Sequence, residues 1–482
     1  MDLRLALLLL CLCRGGITNV EETDEEAVPS VPLIPLVPSL PAKNVENAIT
    51  SQSANINAIQ NATVAPAVAS KPDGNLSEED EDEECVSLGR NPQSREAIVD
   101  AMQRLGIQLL QMLPTTPEEP NVIISPLSIS LALSQLALGA VNETQELLMQ
   151  HLHGNALPCY HDSLHNILMQ LHNSDLQIAT RIFLSQGFEA KQQFVHQSQQ
   201  LYDSETVALE GLEQINKWVE KATNGKITKF FSSLPPNLLL MLINAIHFKG
   251  EWKARFDPRF TSKGAFNIDD KHLVDVEMME GANHPLSTFI DSELEAQVAR
   301  FSFQKLMSLL VVVPMSDQVN VSTLIPKLNV SDLYERLPKE RAVQVKVPKF
   351  KLENSRELKD ILTNLGLGEM FSKPNLANIA DGPLLVSKIM HKVCMEIHEE
   401  GAEAAAATSV VISRASNPIF SLNRPFFLAL IDDTTQVPIL MGVITNPNPG
   451  APVLEGGEAG SKDKMGFLSD KNDLRPYSVP PK

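Results

Sequence analysis

Few residues in this 482-residue chain are placed for covalent or metal chemistry of their own. No Gly-x-Ser-x-Gly elbow, His-Glu-x-x-His helix or glycine-rich phosphate loop occurs, and past residue 16 there is no Cys-x-x-Cys pair. His161, His165 and His172 fall at i, i+4 and i+11 and share a helical face. No carboxylate completes a plausible ligand set at nearby spacing, so they read as a polar helix surface, and neither metal nor cofactor is expected. The unusual chemistry lies between Glu399 and Ser416. Four consecutive alanines, Ala404 to Ala407, favour helix. Small or apolar residues at Ala402, Ala404, Ala406, Thr408, Val410 and Ile412 favour a strand whose buried face can slide into place. Such a conflict of local preferences marks a site shaped by function. Arg414 is the only Lys or Arg between Lys392 and Arg424.

The elements around this segment form a mixed α+β pattern. Ile98, Met102, Leu105 and Leu109 repeat at helical spacing behind Ser94, a candidate N-cap. An apolar helix over 128–138 is entered through Ser125-Pro126, and a helix over 214–223 ends at Asn224-Gly225. The runs 238–248, 308–313, 390–397 and 427–430 suit buried strands. Strands and helices alternate irregularly, which argues against a repeating βαβ sheet. At the N-terminus, Arg4, the apolar run Leu5 to Leu12, and Gly15 and Gly16 read as a secretory signal over 1–16, too short to span a membrane. Residues 17–89 are rich in Pro and acid and cannot bury enough to fold. Regular patterning fills 90–450, and 451–482 read as a flexible tail. The net charge of −19 disfavours nucleic acid and other polyanions, and a soluble monomer without membrane contact is expected.

Cys85 and Cys159 lie in loop-like surroundings, whereas Cys394 lies in an apolar-alternating run. In an oxidising compartment the first two pair and Cys394 stays a buried thiol. Sequons at Asn61, Asn75, Asn142, Asn320 and Asn329 are candidate glycosylation sites.

The segment Glu399-Glu400-Gly401-Ala402-Glu403-Ala404-Ala405-Ala406-Ala407 resembles the hinge of the serpins. Six further stretches match that family in order: Asn121 to Ser128, Trp218 to Ile227, Leu242 to Pro258, Val347 to Phe350, Leu365 to Phe371, and Asn423-Arg424-Pro425-Phe426 followed by Met441-Gly442-Val443 and Asn446-Pro447. The resemblance implies a serpin fold of three β-sheets and about nine helices with an exposed reactive loop. It implies a protease inhibitor rather than an enzyme. A target protease attacks the loop, forms an acyl ester, and is carried across as the cleaved loop inserts into the main sheet. Ser125, Ser128, Asn244 and His391 match a shutter beneath that sheet. Arg414 would be the bait for a trypsin-like protease, whose specificity pocket holds an acid. Counted from Glu399, the commonest family spacing cleaves after Ala415, which would suit an elastase-like enzyme. A loop one residue shorter, as in some members, cleaves at Arg414–Ala415, and that bond is the expectation. Loop and tail resemble those of the member that inhibits plasmin. This implies plasmin and plasminogen as partners, with kringle-binding lysines at Lys462, Lys464, Lys471 and Lys482. Fibrin is a further implied partner, although neither Gln52 nor Gln60 sits in a matching crosslinking motif. The alternatives are a serpin acting on complement or contact-phase proteases and a non-inhibitory carrier.

Overall fold

The computed structural model describes Cys85 and residues 91–113, 115–171, 176–316, 319–401 and 417–456, all within one compact unit. The expected signal, most of the N-terminal arm, the loop from Ala402 to Ser416, and His172 lie outside the described residues, as do the four tail lysines.

Six main helices pack around the sheets: α1 (Pro92–Met112), α2 (Pro126–Gly139), α3 (Glu143–His151), α4 (Tyr160–Leu171), α5 (Gln192–Tyr202) and α6 (Leu212–Ala222). With the shorter α7 (Val330–Glu335), α8 (Lys359–Leu362) and α9 (Glu369–Ser372) there are nine α-helices among the described residues. The first begins earlier than expected. Asn91 caps it by accepting from the Gln93 N–H, with Pro92 following, so Ser94 lies inside the first turn. Asn before Pro is the stronger start signal, because proline at the first position lacks only a donor that would go unpaired. Ser125 caps α2 as expected, and almost all of that helix is buried. Helix α6 ends where Asn224 and Gly225 turn to φ of 48° and 75°.

Fifteen strands among the described residues complete the fold: β1 (Val122–Ile124), β2 (Leu176–Leu184), β3 (Thr206–Ala208), β4 (Leu240–Lys249), β5 (Ser262–Asn267), β6 (His272–Asp291), β7 (Ala296–Ser302), β8 (Met307–Pro314), β9 (Arg341–Pro348), β10 (Phe350–Glu357), β11 (Val386–Ile397), β12 (Ile419–Ser421), β13 (Phe426–Asp432), β14 (Pro438–Ile444) and β15 (Val453–Glu455). The main sheet runs β10-β11-β4-β2-β3. The remaining ten strands form one connected sheet, because the 20-residue β6 pairs with β5, β9 and β15 along its first part and with β7 along its last. The expected second and third sheets are therefore joined through a shared strand. Val453–Glu455, read from the sequence as tail, add an exposed strand to β6.

In the main sheet β11 and β4 run parallel, whereas the flanking pairs β10/β11 and β2/β4 are antiparallel. Helix α2 packs behind the sheet. On the front, Ile215 and Val219 of α6 join Phe183, Met241, Ile243, Ala245 and Cys394 in a separate apolar cluster. Burial on both faces explains why β4 is mostly apolar in the sequence, interrupted before Lys249 only by Asn244 and His247.

Cys85 and Cys159 form the expected disulfide, with Cα atoms 5.2 Å apart and a sequence separation of 74. Cys394 is free and buried. In the chain-entropy argument a loop of that length contributes about 4 kcal/mol. Replacing Cys85 and Cys159 together by Ser should therefore lower the thermal midpoint clearly. An unchanged midpoint would show that the crosslink adds nothing to the folded unit.

Candidate functional site

The seam between β11 and β4 carries a buried polar row. His391 lies opposite Asn244 in the β11/β4 register, and Asn244 lies opposite Thr180 in the β4/β2 register. The row sits against the N-terminal turn of α2. The Ser125 N–H donates to His391 Nε2 at 3.0 Å, and His391 Nδ1 lies 2.8 Å from Asn244 Oδ1. Because Nε2 accepts, the imidazole proton must sit on Nδ1 and be donated to Asn244. The Asn244 amide then donates to the Ser128 carbonyl at 2.9 Å and to Thr180 Oγ1 at 3.0 Å. Ser125 Oγ donates to the Ile439 carbonyl. The structure thus brings together Ser125, Ser128, Asn244 and His391, and adds Thr180, which sequence reasoning did not single out.

This network admits only a neutral His391. Burial pushes its pKa down to about 3, and a proton on Nε2 would replace the acceptor that Ser125 needs. Parting β11 from β4 must break the His391–Asn244 bond, and each buried group left unpaired costs about 1–3 kcal/mol.

At the C-terminal end of the same seam, residues 398–401 are anchored. The Trp252 N–H donates to the Glu400 carbonyl at 3.0 Å, the Phe256 N–H to the Glu399 carbonyl at 3.1 Å, and Trp252 Nε1 to the His398 carbonyl at 2.5 Å. Trp252 is fully buried, stacked on Phe303 at 4.3 Å between ring centroids, with Phe256 and Phe301 against it. Gly401 bridges Trp252, and a Cβ at Gly401 would lie 2.3 Å from the Trp252 carbonyl oxygen. The close backbone approach explains why a glycine stands at position 401. Glu399 accepts from Thr261 Oγ1 at 2.9 Å and pairs with Lys349 at 3.2 Å. Partial burial disfavours its charge, but these donors outweigh it and hold the carboxyl below its ordinary range. Glu400 pairs with Lys249 at 2.8 Å. Trp252, Thr261 and Lys349, which hold Glu399 and Glu400, were not singled out from the sequence. Two of them lie in stretches that signal the family, but their partners are distant in sequence.

Among the other expected residues, Asn142, Asn320 and Asn329 are exposed. Asn320 and Asn329 cap short helical turns through Oδ1, which leaves Nδ2 available to a glycan. Asn61, Asn75, Arg414, Ala415, Glu403, Ala402, Ala404, Ala405, Ala406 and Ala407 lie outside the described residues, as do Lys462, Lys464, Lys471 and Lys482. His161 and His165 do not converge on a common ligand. His161 bonds the Tyr202 hydroxyl, and His165 Nδ1 lies 3.0 Å from the Leu201 carbonyl. No helix among the described residues is long and apolar enough to cross a membrane.

The fold and this seam define a class, and comparison with known proteins agrees. The family described as serpin (serine protease inhibitor) matches residues 100–447. The chain belongs to the serpin family. It is 37% identical over 409 residues to alpha-2-antiplasmin of Bos taurus, covering 84% of this chain and 83% of that one. It is 38% identical over 396 residues to alpha-2-antiplasmin of Mus musculus, covering 81% and 80%. Among solved structures, mouse protein-Z dependent protease inhibitor matches with a TM-score of 0.66 at 25% identity, covering 75% of this chain and 99% of that one. Human thyroxine-binding globulin matches with the same TM-score and identity over 74% and 98%.

His391 makes stability pH-dependent with a definite sign. Its folded pKa lies below the unfolded value of 6.5, so the unfolded chain binds the extra proton. The contribution is complete above pH 6.5 and is lost as pH falls from there toward 3. At pH 5 the loss is about 2 kcal/mol, at 1.36 kcal/mol per pH unit. His391→Gln should lessen the slope of that part of the stability–pH curve measured by denaturant unfolding, the remainder coming from His161 and His284, which burial holds down to about 4. A slope equal to the wild type's would rule out His391 as its source.

Proposed function

We propose that this chain is a secreted inhibitor that traps plasmin and other trypsin-like serine proteases as a covalent acyl complex. Arg414 is the bait and Arg414–Ala415 the cleaved bond. The observation that carries this reading is the direct parallel pairing of β11 with β4, from Val386 opposite Leu240 to Glu396 opposite Lys249. No strand lies between them, so a strand can enter the main sheet there by parting this one ladder. The hinge stub leaves from the end of β11, at the mouth of that seam. A strand entering there gains ladder hydrogen bonds on both sides and buries its small face. The alanine-rich run Ala404 to Ala407 has the side chains for fast entry.

The preference for plasmin is supported by the similarity to two alpha-2-antiplasmins and by the tail. Lys462, Lys464, Lys471 and Lys482 offer ammonium groups to kringle domains. A tethered tail raises the local concentration of the bait at the protease. The shutter role of Ser125, Ser128, Asn244 and His391 belongs to the same proposal, as does regulation of fibrinolysis.

Mixing the purified protein with plasmin should give a band of summed mass that survives denaturing electrophoresis, together with a released peptide beginning at Ala415. Cleavage at that bond without a covalent band would make the chain a substrate and reject the inhibitory reading. Removing residues 457–482, which leaves β15 intact, should lower the plasmin association rate by about ten-fold or more. An unchanged rate would reject the tethering role of the tail.

A further inference from the structure

The front face of the seam carries a second group of polar side chains that the proposed inhibitory cycle does not use. His247 on β4 lies opposite Cys394 on β11, and Glu396 follows two residues further along the same face. One ligand atom from each residue falls within 4.8 Å of the others. His247 Nε2 and Glu396 Oε1 are 3.2 Å apart. Tetrahedral zinc with one sulfur, one nitrogen and one oxygen ligand needs edges of roughly 3.3–3.6 Å, given its bond lengths. The nitrogen–oxygen edge is thus in place, and the sulfur edges, each no longer than 4.8 Å, must close to about 3.6 Å on binding.

We propose that His247, Cys394 and Glu396 form a site for a thiophilic divalent cation of the zinc class, and that the bound cation staples β4 to β11. An imidazole and a thiolate select zinc-like ions over magnesium or calcium. His247 and Cys394 are buried, and Glu396, partly exposed, provides a path from solvent. Binding releases the Cys394 thiol proton to solvent, and the single imidazole proton of His247 moves to Nδ1 so that Nε2 can ligate. The thiolate and carboxylate then balance the dication. Without a cation, burial and the nearby carboxylates Glu353 and Glu396 hold the Cys394 thiol up at about 11, and a cation reverses that preference. Lys351, 3.1 Å from Glu396, and Lys392, paired with Glu353 at 3.3 Å, border the site, with Lys226 acting on His247 from the segment after α6. Lys351 must yield one carboxylate oxygen to the cation.

The ligands straddle the seam, so the site exists only while the sheet is closed. A strand entering between β4 and β11 would move them to roughly 10 Å between backbones, two interstrand spacings, and break the ligand set. Bound cation therefore stabilises the closed sheet by mass action and slows insertion. The slowing rests on the sheet-opening mechanism proposed above, whereas cation binding itself does not.

The test uses the full-length disulfide-bonded protein, stripped with a chelator and titrated with Co²⁺. The expected result is a thiolate-to-cobalt charge-transfer band that saturates at one equivalent, disappears on adding Zn²⁺, and is absent in Cys394→Ser and weakened in His247→Gln. Zn²⁺ should also raise the thermal midpoint of the wild type and leave those of Cys394→Ser and Cys394→Ala in place. No charge-transfer band in excess Co²⁺, or a band that persists in Cys394→Ser, would overturn the site. An equal Zn²⁺ shift in wild type and both Cys394 variants would overturn it as well. A bound cation that leaves the rate of covalent complex formation with plasmin unchanged would keep the site and overturn the staple.

Discussion

The parallel ladder between β4 and β11 is the contact on which the rest of the molecule turns. It joins the two central strands of the main sheet, and each is tied to an antiparallel neighbour on its other side. A parallel pair has slanted hydrogen bonds and is slightly weaker per residue than an antiparallel one. The seam is thus the softer line in the body of the sheet, the other parallel pair being the three-residue β2/β3 ladder at the edge, and it is the line that receives a strand in the proposed mechanism. Structure on both sides of the sheet sets how readily it opens: α2 and its serines behind, α6 and its apolar cluster in front.

The polar groups along the seam divide by face and height. Midway along, on the back, His391, Asn244 and Thr180 form a row satisfied only with the sheet closed and the imidazole neutral. At the mouth, Trp252 and Phe256 hold Glu399 and Glu400 by backbone contacts, while the two carboxylates pair with Lys349 and Lys249. On the front, near the mouth, His247, Cys394 and Glu396 add the proposed cross-strand ligand set. Buried polar groups of this kind are costly when unpaired, so each raises the barrier to opening without needing to add much to equilibrium stability.

Much of this arrangement was legible in the sequence. The apolar run at 238–248 announced β4, because a strand buried on both faces needs no polar alternation. The Ser125-Pro126 start of α2 was legible from capping chemistry alone. The start of α1 was misplaced because Ser94 is also a good capping residue, and the choice of Asn91 rests on Pro92 after it. The 20-residue β6, which joins two expected sheets, gave no local signal, since its register shift between Gly281 and His284 depends on pairing with β9. Thr180, Trp252, Thr261, Lys349 and His247 escaped notice for a common reason. Each takes its meaning from a partner distant in the chain, and nothing in a local pattern encodes such a pairing.

The central claim is that the seam opens to accept the segment that follows Gly401. The most direct test nicks the chain once within residues 402–416, using a protease that is not itself trapped, and compares thermal unfolding before and after. Insertion of the freed strand between β4 and β11 predicts a large upward shift of the midpoint, because the new strand gains two ladders and a buried face. An unchanged or lowered midpoint would mean that the sheet stays closed after cleavage, which contradicts strand insertion at the seam.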